Sequence, residues 1–237
     1  EEGFPAYLPA RLAAFYERAG QVVTLSGETG SLSIVGAVSP PGGDFSEPVV
    51  QHTKRFIRCF WALDKDLANA RHFPSVNRLE SYSEYLADVQ QWWRDNRRLD
   101  WKSLQSEAMT ILHREASLQQ IVRLVGADAL PDEERLVLEV ARLLREGYLQ
   151  QSALDEVDTY ASAEKQFRML QLILAFYHRA KVVIDYHCPI FQIRQLPVIT
   201  DLLRMKSRIA NDRVAELDAL EAEIDRQIGA LEKDYRP

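Results

Sequence analysis

The sequence predicts a mainly α protein, with a small α/β edge near the N-terminus and an all-α domain behind it. Three observations carry that prediction. Short apolar runs compatible with strands occur only early, at Gln21–Leu25 and Ser31–Val38. From Ser83 onward the apolar residues recur at helical spacing. The helical stretches are punctuated by Gly126, Pro131, Gly147, Pro189 and Pro197, residue types that start or stop helices. A boundary falls near Asn77–Ser83, giving an N-terminal part over residues 1–78 and a helical domain over 79–237. The chain has 237 residues, 46% apolar and 27% charged, enough to bury a sizeable core.

In order, residues 7–19 place Leu8, Leu12, Phe15 and Ala19 on one helical face, with Pro9 in the first turn and Gly20 as terminator. Two strands and a Ser26–Gly30 turn follow. Pro48 opens a helix whose stripe is Thr53, Phe56, Ile57, Phe60, Leu63 and Leu67; Pro74 ends it by biasing Phe73 out of the helical region. Ser83–Asp95 reads as a short helix carrying Trp92 and Trp93, and Trp101–Val125 as a long one stopped by Gly126. Pro131-Asp132 starts a helix ended by Gly147. Ser162 caps Ala163–Asp185. Cys188-Pro189 and Leu196-Pro197 break the chain, and a helix runs on toward Arg208. Arg213–Lys233 carries the narrow seam Val214, Leu217, Leu220, Ile224, Ile228 and Leu231, which fits either packing within its own domain or a helical partner.

The most conformationally specified stretch is Ile34–Val49. Its centre, Ser39-Pro40-Pro41-Gly42-Gly43-Asp44, combines two fixed φ angles with two residues that tolerate φ > 0, and Asp44 or Ser46 can cap the helix that follows. Such a loop is either a stiff connector or a rim that holds something. Elsewhere the chemistry is sparse. No G-x-x-x-x-G-K-[ST], G-x-G-x-x-G or G-x-S-x-G occurs, and no Gly-Lys pair at all. His52, His72, His113, His178 and His187 are scattered, and no spacing suggests a metal site. Net charge of −6 argues against a nucleic-acid groove. Cys59 and Cys188 read as reduced thiols, and no apolar run approaches the ~18 residues of a membrane span. Glu1-Glu2-Gly3 leads straight into a helical pattern without an initiator Met, which predicts a longer parent chain, although removal of a tag or of the Met leaves the same start.

Four stretches together resemble one family: Gly3–Leu8 with Arg11–Gly20; Ile34–Pro48; Phe60–Asp64 with Arg71-His72-Phe73-Pro74; and Tyr148–Gln151 with Glu156–Tyr160. They are similar to the catalytic A subunits of the V/A-type rotary ATPases, or ATP synthases. Thinner matches continue to Gln195-Leu196-Pro197. The resemblance implies the C-terminal portion of such a protein, in which a remnant α/β edge of a RecA-like nucleotide-binding domain is followed by an all-α helical-bundle C-terminal domain. In the family the phosphate-binding loop and its lysine lie upstream, so this portion is expected to be inactive alone. ATP or ADP with Mg belongs to the complete protein, with none expected on this portion.

By the same resemblance Phe73 stacks on the adenine, and Gln150, Gln151 and Ser152 supply the second wall. The family usually carries an aromatic where this chain has Leu154, which reduces the stacking available, and Tyr160 falls where a further pocket aromatic fits. From the residues alone, Phe73 also reads as a core plug at the domain boundary. Ser39, Pro40, Pro41, Gly42, Gly43 and Asp44 are implied to lie near the nucleotide and the neighbouring B subunits of the head. The last helix fits a surface facing the central-stalk rotor. The expected setting is cytoplasmic, on the ATPase head peripheral to the membrane. Two alternatives stay open: a stand-alone helical scaffold, and a degenerate homologue of the catalytic subunits that binds no nucleotide. The two early strands, lacking sheet neighbours, predict self-association or poor order through residues 1–75.

Overall fold

The computed structural model describes residues 3–236; the Glu1-Glu2 start, on which the expected longer parent chain partly rests, lies outside the described residues. The fold is mainly α with small sheets, as the sequence predicts. Two compact units divide the chain: Glu1–Trp61 with Ser81–Tyr85, and Ala62–Glu80 with Leu86–Pro237.

In the first unit, α1 (Leu8–Tyr16) is followed by β1 (Gly20–Val23) and β2 (Thr29–Leu32). The strands pair with each other as an antiparallel hairpin, Gly20 opposite Leu32 and Val23 opposite Thr29. The second strand is therefore shorter than the expected Ser31–Val38. Residues 33–40 are not part of the ladder, and Gly36 comes so close to Tyr16 that a Cβ there would collide with the phenol oxygen.

The helix α2 (Pro48–Lys54) ends well before the expected Arg71. Its stripe is broken because Cys59–Phe60 forms β3, paired with β4 at Tyr82–Ser83. That pairing places the Phe60 ring 5.7 Å from Phe45 and 5.9 Å from Tyr82. The Tyr82 hydroxyl donates to the Lys54 carbonyl at 3.2 Å. A contact between segments so far apart in sequence leaves no trace in a local periodicity. The cap of α2 is Glu47, which accepts from the Val50 amide at 3.0 Å, rather than Asp44 or Ser46.

In the second unit, α3 (Lys65–Asn69) starts at Asp64, whose carboxylate accepts from the Asp66 and Leu67 amides. The long helices are α4 (Tyr85–Arg97), α5 (Trp101–Val125), α6 (Asp132–Arg142), α7 (Ala163–Asp185), α9 (Pro197–Arg208) and α10 (Glu216–Tyr235), with the short α8 at Ile190–Arg194. The ends of α5, α7 and α9 fall where the sequence puts them. Gly126 terminates α5 at φ 85°, and the Ser162 hydroxyl caps α7 by accepting from the Lys165 amide at 3.2 Å. The core is centred on α7, where Leu172, Ile173 and Phe176 are fully buried against residues such as Val140, Leu143, Leu202 and Ile224.

Two helical expectations change. Gly147 does not end α6: the chain continues through Leu143–Leu149 as a π-helical turn, with Gly147 buried inside it. Leu217, Ile224 and Ile228 of the α10 seam are buried in the unit's own core. The pairing is reinforced where Arg168 and Arg179 of α7 meet Asp218, Glu221 and Asp225 of α10. Of the two readings of the seam, packing within its own domain is the one realised.

Candidate functional site

The residues expected to meet an adenine lie in the second unit, on two loops laced together. The first, Ala62–Glu80, is rigid for local reasons. The Asp64 amide donates to the Ser75 carbonyl at 2.8 Å and the Asn77 amide to the Ala62 carbonyl at 2.7 Å. Asn77 Nδ2 donates to the Asp64 carboxylate at 3.0 Å, while Asn77 Oδ1 accepts from the Leu79 and Glu80 amides. These contacts close the loop around α3 and leave Arg71-His72-Phe73-Pro74 at its tip. Arg71 sits in the left-handed region at φ 56°, a conformation costly for a residue with a Cβ. The Phe73 ring is half exposed, at 51%. It is not the core plug that its sequence context also permits.

The second loop leaves the π-turn at Leu149. The Gln151 amide donates to the Phe73 carbonyl at 2.7 Å, and Gln150 Nε2 donates to the Arg71 carbonyl at 3.3 Å. Gln151 is thus joined to Phe73 backbone to backbone, and Gln150 to the neighbouring Arg71 through its side-chain amide, although the two loops are far apart in sequence. The Ser152 amide donates to Asp158 Oδ2 at 2.8 Å, and the Ser152 hydroxyl accepts from the Leu154 amide at 3.4 Å. Leu154 is 98% exposed. Tyr160 stands further along, exposed, with its carbonyl accepting from Asn211 Nδ2 at 2.9 Å. That bond anchors it toward the segment before α10, and the structure does not lace it to Phe73 as it does the glutamines.

The electrostatics beneath the loops are cationic and tightly compensated. Glu115 of α5, nearly buried, is paired by Arg145 of the π-turn and lies 3.7 Å from Arg78. Burial, together with the nearby Arg78, Lys206 and Arg145 charges, pulls His72 below the usual histidine value; Glu146 opposes this. Burial raises the Tyr148 phenol above its ordinary range, so it is a neutral packing group. The chemistry on offer is an exposed ring, exposed aliphatic surface and fixed amides, which suits a flat heteroaromatic ligand. Among the described residues no group of three or more His, Cys, Asp or Glu could hold a metal ion.

The loop Ser39–Asp44 belongs to the first unit. Gly42 and Gly43 adopt φ 67° and 75°, using the freedom that only glycine has at no cost. The Asp44 carboxylate accepts from Ser46, its amide at 2.9 Å, which holds Asp44 below the usual carboxylate range. The loop is largely exposed.

The residues that sequence reasoning misses are those that fix the second loop from behind: Asp158, Lys165 and Lys206. Lys206 follows Met205 on α9 and Lys165 lies near the start of α7, positions that read as ordinary solvated lysines. No motif marks the two lysines, and Asp158, although inside the Glu156–Tyr160 stretch, carries no role that the stretch announces.

Comparison with known proteins gives two family matches along the chain. Residues 1–83 match the family model described as the ATP synthase alpha/beta family, nucleotide-binding domain. Residues 90–193 match the C-terminal domain of V and A type ATP synthase. The chain is 52% identical over 237 residues to the V-type ATP synthase alpha chain of Halothermothrix orenii, covering 100% of this chain and 40% of that protein. Among the A-type ATP synthase A subunits, that of Methanopyrus kandleri is 54% identical over 234 residues, covering 98% of this chain and 39% of the other. Among solved structures the chain resembles the ATP synthase subunit NeqB from Nanoarcheaum equitans, with a TM-score of 0.62, 25% identity, and coverage of 75% of this chain and 41% of the other. The chain therefore spans well under half the length of each of these relatives. Among the described residues no helix is long and apolar enough to cross a membrane.

Proposed function

Because the chain belongs to the family of V- and A-type ATP synthase A subunits, matching their C-terminal regions, we propose that it supplies one wall of the adenine site and the helical C-terminal domain of such a protein. The observation that carries this reading is the lacing of Phe73 to Gln151. It holds a half-exposed ring beside the Gln150–Leu154 loop, where a core residue would be covered. The base would stack on Phe73, with Leu154 covering part of the same ligand and the Gln150 and Gln151 side chains supplying amide groups at its edge. ATP or ADP with Mg is the ligand of the complete protein. Phosphate and metal handling would fall to parts of the relatives that this chain does not span, since its 237 residues hold no Gly-Lys pair. Alone, the chain would not hydrolyse ATP.

In this proposal Ser39–Asp44 faces the neighbouring B subunits of the head. The charged outer face of α10, rather than its buried seam, is what remains for the central-stalk rotor. The protein would sit in the cytoplasm, peripheral to the membrane, and couple nucleotide turnover to ion movement through those partners.

The test is ADP binding by the full-length protein. Phe73→Ala is expected to weaken binding by about 5- to 150-fold, the value of one base–aromatic stack, and Phe73→Tyr to leave it close to unchanged. Unaltered affinity in Phe73→Ala would remove the ring from the site. A second reading, a homologue of the catalytic subunits that has lost nucleotide binding, draws on Leu154, 98% exposed, standing where the resemblance implies an aromatic. Leu154→Phe decides it. If the unmutated protein binds ADP tightly, the degenerate reading is wrong, and the added ring should improve binding by no more than about tenfold.

A further inference from the structure

Behind the Gln150–Ser152 loop lie two lysines that the surface of a helical domain does not need. Lys165, on the first turn of α7, is fully buried, and its ammonium donates to the Lys206 carbonyl at 2.7 Å. The Lys206 side chain is 14% exposed; its ammonium donates to the Gln150 carbonyl and lies 3.9 Å from Asp158 Oδ2. The Asp158 side chain is 4% exposed and accepts from the Ser152 amide at 2.8 Å with that same oxygen. Asp155 fixes Asp158 in turn, its carboxylate accepting from the Val157 and Asp158 amides at 2.9 and 2.8 Å.

The consequence is geometric. The Gln150 carbonyl goes to Lys206, the Gln151 amide to the Phe73 carbonyl, and the Ser152 amide to Asp158. Three successive residues therefore each have a backbone group held by a different partner, which fixes the loop beside Phe73. Burying ammonium groups is costly unless they are paired and hydrogen-bonded, and burial does pull both lysines below the usual lysine value. Neutral side chains could satisfy the same carbonyls at lower cost. A charge-assisted hydrogen bond gives a stronger hold.

We infer that Lys206 and Asp158 are positioning residues that set the Gln150–Ser152 loop against Phe73 and thereby tune recognition of the nucleotide base. This rests on the reading of Phe73 as the adenine platform. Lys165 supports the arrangement by holding the last turn of α9, from which Lys206 projects.

The experiment uses the full-length protein with Lys206→Met, Lys206→Arg, Asp158→Asn and Phe73→Ala. Binding of ADP and of inorganic tripolyphosphate is measured by calorimetry, and amide hydrogen exchange is followed over residues 150–152. Lys206→Met is expected to weaken ADP roughly tenfold, about the effect of losing one hydrogen bond to a charged donor, with tripolyphosphate within about twofold. Exchange at Gln151 and Ser152 should accelerate while the middle of α7 stays protected. Lys206→Arg, which still donates to the Gln150 carbonyl, should recover part of the loss. Equal weakening of ADP and tripolyphosphate would mark a general structural role and overturn the proposal. Unchanged ADP affinity in Lys206→Met, with Phe73→Ala impaired, would overturn it while leaving the adenine reading intact. Unchanged affinity in Phe73→Ala would overturn both. Should Lys206→Met fail to fold, Asp158→Asn decides, because it keeps an acceptor for Ser152 and removes only the charge facing Lys206: selective loss of ADP supports the proposal and unaltered affinity refutes it.

Discussion

Gly147 lies in the π-turn that feeds the Gln150 loop, and it is small because α9 crosses there. A Cβ on Gly147 would lie 3.0 Å from the Leu202 carbonyl oxygen and 3.3 Å from the Leu203 Cα. Both are backbone atoms, so no rotamer change can relieve the crowding. Gly147→Ala therefore sets two effects against each other. The helical backbone gains about 1 kcal/mol from replacing glycine, and overpacking costs about 1–3 kcal/mol, toward the upper end where backbone must move. The expected net loss is about 1–2 kcal/mol, which lowers Tm by roughly 2–8 °C for a chain of this size. Gly229 in α10 provides the internal control. A Cβ there meets nothing within 4 Å, so Gly229→Ala should gain about 0.5–1 kcal/mol and raise Tm. Thermal and urea unfolding of the two variants beside the unmutated chain give the comparison. If Gly147→Ala stabilised the chain as Gly229→Ala does, the close approach of α9 to the π-turn would be wrong, and with it the account of how the Gln150 loop is aimed.

Two other predictions concern the loops and the first unit. His72, held neutral by burial and by the Arg78, Lys206 and Arg145 charges, should titrate below its ordinary value of 6.5 in an NMR experiment. A folded value below the unfolded one means that the stability it contributes is present above about pH 6.5 and lost as pH falls through the folded value; His72→Gln should flatten that part of the profile. In the first unit Val22, Val23, Leu25, Leu32 and Val35 are all exposed around a two-stranded hairpin. The isolated chain should therefore self-associate with rising concentration in sedimentation velocity, and Val23→Lys with Leu25→Lys should shift it toward monomer; a monomer at every concentration would contradict the account.

What the sequence makes legible divides along physical lines. Helices whose ends are set by their own residues are readable: Gly126 and Ser162 act within a turn of the boundaries they mark. Elements set by distant partners are not. The stripe from Thr53 to Leu67 has helical spacing, yet Phe60 is drawn into a strand by Tyr82, and nothing between them in sequence announces that pairing. Gly147 reads as a stop signal because glycine commonly is one; here the reason for glycine is the α9 backbone, far along the chain. The α10 seam is ambiguous for a related cause. Spacing reveals that a face is buried without saying against what, and the arginines of α7 that answer it are visible only once folded.

The candidate site follows the same rule with a sharper consequence. Phe73 and the Gln150–Ser152 loop are found through a family pattern, because an exposed phenylalanine before a proline has no chemistry of its own to betray it. Of the groups that aim them, Lys206 carries an ordinary charge outside any motif, and Asp158 lies in the Glu156–Tyr160 stretch without that stretch revealing what it holds. Their significance comes from burial: a lysine at 14% exposure that donates to a loop carbonyl is a constraint on geometry, whereas the same lysine in solvent is a contribution to charge. In this chain the residues that touch the proposed ligand are the ones a pattern can name. The residues that decide where those groups point are the ones only packing can identify, and mutating the second set tests the site more severely than mutating the first.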